Sequence, residues 1–124
     1  MTNNEVIAQF MGWGNTQFQV YEYKEKETVW FRPNTEPFKE SYLTTNELEF
    51  HTSWVWLMEV IEKIESLGYD TGICGIVIKG EKLTEVLFSP QIKNNKIEIH
   101  VRDSKPKIEV VYQAVVDFIK CYSV

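Results

Sequence analysis

The sequence predicts an α+β protein: an α-β-α sandwich with a largely antiparallel sheet and three helices. Three observations carry that expectation. The stretches around 53–67 and 108–122 repeat apolar residues at the three- and four-residue spacing of a helix. Shorter alternating runs come in pairs joined by charged or Gly/Asn-containing connections, which is the pattern of hairpins. The run YDTGICGIVIK, 69–79, is apolar on both alternations, which predicts a central strand covered on each face.

The elements follow in order. Asn3 and Asn4 are good N-cap residues, Val6, Ile7, Phe10 and Met11 share a helical face, and Gly12 suits the stop. QFQVYEY (17–23) and TVWFRP (28–33) read as a hairpin across KEKE. Val29 and Phe31 fall on its apolar side, Trp30 and Arg32 on the other, and Pro33 closes the second strand. Residues 34–50 show no period, and a short strand over 47–50 is the one element expected there. Thr52 or Ser53 caps the next helix and Gly68 ends it. Its apolar sector holds Trp54, Leu57, Met58, Val60, Ile61, Ile64 and Leu67, with Trp56 at the margin and Val55 toward the polar side.

After the two-sided strand, KGEK turns the chain into LTEVLF (83–88), and KNNK turns it again into KIEIHVR (96–102). Ile97, Ile99 and Val101 alternate with Glu98, His100 and Arg102. Pro106 suits a helix start, and Ile108, Val111, Tyr112, Val115, Ile119 and Tyr122 form the strongest helical stripe in the chain. A length of 124 residues fits one domain, with 16–50 as a hairpin and acidic-loop elaboration on a 51–122 helix-sheet-helix core.

Composition narrows the function classes. The net charge is −5, and residues 36–70 hold eight acids against two lysines, whereas residue 71 onward has six acids and eight bases. An acidic surface disfavours direct binding to nucleic acid, which needs lysines and arginines on the phosphates, and favours a basic partner. No run is long and apolar enough for a membrane span, and the first ten residues lack the features of a secretory signal. Cys74 and Cys121 lie in apolar runs, which predicts reduced, buried thiols of a cytoplasmic protein.

Catalytic signatures are few. His51 and His100 lack metal-ligand spacing, so no metal and no cofactor is expected. His51 precedes a helix start, where it serves the cap or the loop, and His100 reads as one member of a cross-strand charge pairing with Arg102. No nucleophile elbow, phosphate loop or dinucleotide fingerprint occurs, so the chain is not expected to be an enzyme. The high aromatic content, 14%, has two equal readings: a protein interface, or hairpin faces covered by a helix of the same sandwich. The expected partner-binding residues are Glu36, Phe38, Glu40, Tyr42, Glu47 and Glu49 in the acidic loop, and Val55, Trp56, Glu59 and Glu62 on the helix. An alternative small-molecule site would draw on Lys79, Lys82, Lys93, Lys96, Arg102 and His100.

HTSWVWLMEVIEKIESLGY and KIEVVYQAVVDFIKCY resemble the paired helices of the phage ABA sandwich domain, small proteins common in phages and prophages of Bacteroidota. The resemblance covers roughly 51–122 and rests on Ser53-Trp54, Trp56-Leu57-Met58, Glu62-Lys63-Ile64 and the stripe from Tyr112 to Ile119. Val55 and Glu59 depart from the family pattern, which has an acid and often a proline there. The resemblance implies a sandwich fold and a mobile-element origin, and supplies no catalytic residues. On that basis the expectation is a cytoplasmic, phage-encoded inhibitor of host defence. It would bind a basic, nucleic-acid-handling effector such as an RNA-guided nuclease, in the manner of an anti-CRISPR. The alternatives are a nucleotide-signal sponge with a small-molecule pocket and a phage accessory or structural protein; the oligomeric state stays open.

Overall fold

A computed structural model describes residues 1–18, 27–33 and 42–123. The class is α+β: among these residues lie three helices and two antiparallel three-stranded sheets. The chain divides into two compact units, Met1–Glu49 and Phe50–Val124.

The first unit begins with α1, Asn3–Phe10. Thr2 caps it rather than Asn3 or Asn4, because Thr2 has a glutamate three places on. The Glu5 N–H donates to Thr2 Oγ1 at 3.2 Å, and the Thr2 N–H donates to Glu5 Oε1 at 3.0 Å. This reciprocal pair satisfies two helix-start donors at once. Gly12 follows the helix at φ +81°, in the left-handed region that favours glycine.

The hairpin is present as β1 (Gly14–Phe18) and β2 (Glu27–Phe31), in antiparallel register from Gly14 opposite Phe31 to Phe18 opposite Glu27. Its connection, residues 19–26 with Tyr21, Tyr23 and the first three residues of KEKE, lies outside the described residues. The Phe31 ring occupies the space that a Cβ on Gly14 would fill, so a larger residue there would have to displace that ring. Trp30, on the less apolar side of the hairpin, is 1% exposed, so of the two readings for that side the covered one holds here; adjacent Val29 is buried too. Neighbouring strand residues point to opposite faces, so β2 is covered on both sides here. The expected strand at 47–50 is also displaced. The third strand, β3, is Leu43–Thr44, paired with β2, and Thr45–Glu47 is a 3-10 turn.

The second unit contains α2 (Trp54–Ser66), β4 (Tyr69–Ile78), β5 (Glu81–Pro90), β6 (Ile99–Asp103) and α3 (Lys107–Tyr122). The strand order is β4-β5-β6, so β5 is central and β4, predicted to be the central, doubly covered strand, is an edge strand. Both alternations of β4 are apolar because one side faces helices and the other forms an apolar surface that the described helices leave open. Burial along β5 alternates: Thr84, Val86 and Phe88 are buried, and Leu83, Glu85, Leu87 and Ser89 are only partly so. Two helices pack on the buried side, α2 over β4 and α3 over β5 and β6, and they touch each other.

Phe118 of α3 is the aromatic hub of this core. Its ring meets Tyr69 edge-on at 4.8 Å, Phe88 at 5.7 Å and Tyr122 in a stack at 5.8 Å. Such pairs add stabilisation beyond the area they bury. Gly68, at φ +96°, ends α2, and Ile92 fills the space a side chain there would need. The 91–95 loop fastens to the same point. The Gln91 N–H donates to the Gly68 carbonyl at 2.9 Å, and Asn95 Nδ2 donates to the Leu67 carbonyl at 2.9 Å. No described helix is long and apolar enough to cross a membrane.

Candidate interaction surface

Periodicity puts Trp54 in the core of α2 and Trp56 at its margin; Trp56 is at the margin, and Trp54 is not in the core. The buried stripe is Leu57, Val60, Ile61 and Ile64. Trp54, expected in the core, is 40% exposed, and Met58 one turn later is 42% exposed. Trp56 is half-buried instead and meets Phe50 edge-on at 5.2 Å. Phe50 precedes the helix and lies outside its period, so periodicity alone could not reveal this capture.

The outward side of α2 carries Val55, Glu59 and Glu62, spaced by four and three residues and therefore neighbours on the surface. Val55 is 70% exposed, Glu59 is half-buried and Glu62 is exposed. The expected acidic loop divides differently. Glu36, Phe38 and Glu40 lie outside the described residues. Tyr42 is half-buried, its ring 5.6 Å from that of Phe31. Glu47 is engaged locally: its Oε1 accepts from the Thr44 N–H at 3.0 Å and from the Thr44 hydroxyl at 2.9 Å. Those bonds hold its carboxyl below the ordinary glutamate value. Glu49 is exposed.

The basic residues proposed for a small-molecule site do not converge. Lys79 and Lys82 flank the β4–β5 turn, while Lys93 and Lys96 lie in the β5–β6 connection. β5 separates these ends by roughly 25 Å at about 3.3 Å per residue. Arg102 and His100 are already partnered across the strands. Arg102 Nη2 and Nε donate to Glu85 Oε2 at 2.8 and 3.1 Å, and His100 Nε2 lies 3.4 Å from the same oxygen. Glu85 stands directly opposite Arg102 in the register. The hydrogen bonds from Arg102 first, then from His100, hold the Glu85 carboxyl below its ordinary value. This is the cross-strand charge pairing expected at His100, with Glu85 as its acid.

Sequence reasoning missed a cleft of about 370 Å³ whose lining includes His51, Thr52, Asp103, Lys105, Glu109 and Tyr112. The His51 and Tyr112 rings lie 6.2 Å apart, and burial raises the Tyr112 phenol above its ordinary pKa. Asp103 Oδ1 accepts from the Ser104 and Lys105 N–H groups at 2.7 and 3.3 Å, closing the turn into α3. With two carboxylates and one lysine, the cleft is a poor phosphate site. Among the described residues, no group of three or more His, Cys, Asp or Glu is placed to hold a metal ion. Cys74 and Cys121, expected to be buried, are both exposed free thiols: Cys74 points to the open side of the edge strand and Cys121 ends α3. No protein-family model, curated protein or solved structure matches this chain.

Proposed function

We propose that this chain is a non-enzymatic binding protein that acts in the cytoplasm of a bacterial host and docks on a basic, nucleic-acid-handling protein. Inhibition of a host defence nuclease is the role this reading favours. The observation that carries it is Val55, 70% exposed on the outward side of α2, with Glu59 and then Glu62 following it along the same side. An apolar contact with acids beside it suits a partner whose surface is built for phosphates. The net charge of −5 adds long-range attraction to such a surface.

The test compares wild type with Glu59→Lys/Glu62→Lys and with Val55→Arg. Each is expressed in a strain that carries an RNA-guided nuclease, and phage plating is scored. Wild type should restore plating, and both variants should lose the effect while remaining folded. In parallel, affinity capture from the same cells should yield a basic protein that the charge-reversed chain fails to retain. A captured protein held equally by all three chains, with unchanged salt dependence, would sink the reading.

A further inference from the structure

β4 is ten residues long, lies at the sheet edge among the described residues, and carries no charge between Thr71 and Ile78. Exposed edges of this length are ordinarily blunted by lysine, proline or a bulge. The β4–β5 turn fixes which backbone groups face outward. Lys79 and Gly80 both have positive φ, +52° and +82°, which makes a two-residue turn of type I′. Ile78 and Glu81, on either side of it, then form a hydrogen-bonded pair. Alternation turns the even-numbered residues of β4 toward β5. The N–H and C=O groups of Thr71, Ile73, Gly75 and Val77 are left pointing away from the sheet.

The helix above β4 is too short for it. With 13 residues α2 spans about 20 Å, while the ten-residue β4 spans about 33 Å. α2 turns through Gly68 directly into β4, so it lies over the first half of the strand and leaves the end from Gly75 onward projecting past it. Val77, on the helix side of the strand, is accordingly 67% exposed. Trp54 and Met58, one turn apart on α2, are 40% and 42% exposed.

We infer that β4 pairs with β4 of a second copy about a two-fold axis, and that each copy's α2 covers the projecting strand end of the other. A two-fold perpendicular to the sheet keeps helix-side residues opposite helix-side residues, which restricts the register. With Cys74 on the axis, Thr71 stands opposite Val77 and Ile73 opposite Gly75. The uncovered end from 75 to 78 then meets positions 70–73 of the other copy, the stretch that lies beneath α2. The projecting length is what a second copy would cover, and Val77, opposite Thr71, comes to lie beside the C-terminal half of the other copy's α2. The charges agree as well: antiparallel pairing brings Asp70, near one end of the strand, beside Lys79 at the other end of its mate. Val55, Glu59 and Glu62 stay outside this contact, so the pairing goes beyond the proposed docking role and does not depend on it.

Sedimentation velocity of the full chain across the micromolar range provides the test. The wild type should sediment as a dimer. Gly75→Pro removes an outward N–H, and a Cβ at that position meets nothing within 4 Å. The ladder to β5 therefore survives, and this variant should be a folded monomer with an unchanged circular dichroism spectrum. Val77→Lys should also be monomeric, independently of any effect of proline. In a Cys121→Ser background, copper-phenanthroline and dioxygen take two electrons and two protons from two Cys74 thiols. On the axis these sit in a non-hydrogen-bonded pair with Cα atoms about 4.5 Å apart, within disulfide reach. Wild-type β4 should give a disulfide-linked dimer and Gly75→Pro should not. A wild type that stays monomeric, or a dimer that survives both substitutions, overturns the pairing. A dimer that does not cross-link overturns the Cys74 register and the mutual covering by α2.

Discussion

The two units are held by different means. Phe50–Val124 relies on long periodic elements: two helices lie on one side of a sheet, and Phe118 of α3, which has no exposed surface, meets Tyr69 and Phe88 of that sheet. Among the described residues, Met1–Glu49 has an eight-residue helix and strands of five, five and two residues. It depends instead on reciprocal side-chain-to-backbone bonds, Thr2 with Glu5 and Thr44 with Glu47, and on a close approach of Phe31 over Gly14. Short elements have too few apolar residues to be fixed by packing alone, so local hydrogen bonds take a larger share.

The largest test of that contrast is in the cores. Phe118→Ala should cost about 3–5 kcal/mol in denaturant unfolding, since three ring contacts vanish and a cavity remains. Trp30 is as deeply buried, but its indole N–H has no hydrogen-bond partner. Trp30→Phe removes that orphan donor, an unmet group worth about 1–3 kcal/mol, together with part of the ring. Its net cost should stay below about 1.5 kcal/mol. Equal losses at the two sites would erase the distinction between a jigsaw core and a tolerant one.

At the next scale, Thr2→Ala should cost about 1 kcal/mol by opening the α1 capping pair, read as a fall in melting temperature. The second pair responds to pH. Glu47 has a folded-state pKa below its ordinary value. Its contribution is therefore present above the ordinary carboxylate range and is lost as pH falls through the folded value. Glu85 in the second unit has the same sign, through Arg102 and then His100. Melting curves of Glu47→Gln and Glu85→Gln below about pH 4.5 should each show a flatter pH dependence than wild type. The smallest expected effect is a gain. Lys79 occupies a left-handed conformation in a type I′ turn where asparagine is preferred. Lys79→Asn should raise stability by about 0.5 kcal/mol.

The same contrast explains what could be read in advance. α2 and α3 were legible because a 3.6-residue repeat sustained over 13 and 16 residues leaves little ambiguity. In the first unit the hairpin was legible, but β3, two residues long, carries no period at all. β4 was recognisable as a strand and misplaced within the sheet. Apolar residues on both alternations mark two apolar sides, and they do not say whether a neighbouring strand lies beyond the edge. Trp54, placed in the core by its period, is exposed, whereas Trp56 is half-buried at the margin where the period puts it, against Phe50, which precedes the helix. Of the candidate surface, Val55 and Glu62 stood out correctly as exposed on the wheel. The partnering of Glu47 with Thr44, and of Arg102 with Glu85, depends on geometry that spacing only hints at.

The order of the elements also bears on synthesis. α3 is made after all three strands that it and α2 cover, so Val86 and Phe88, both without exposed surface in the folded chain, emerge from the ribosome with half their cover missing. Until Phe118 has left the exit tunnel, the nascent sheet presents an apolar side, and β4 adds an uncharged free edge. The interval between completing β6 and completing α3 is therefore when this chain most needs a chaperone or a short wait.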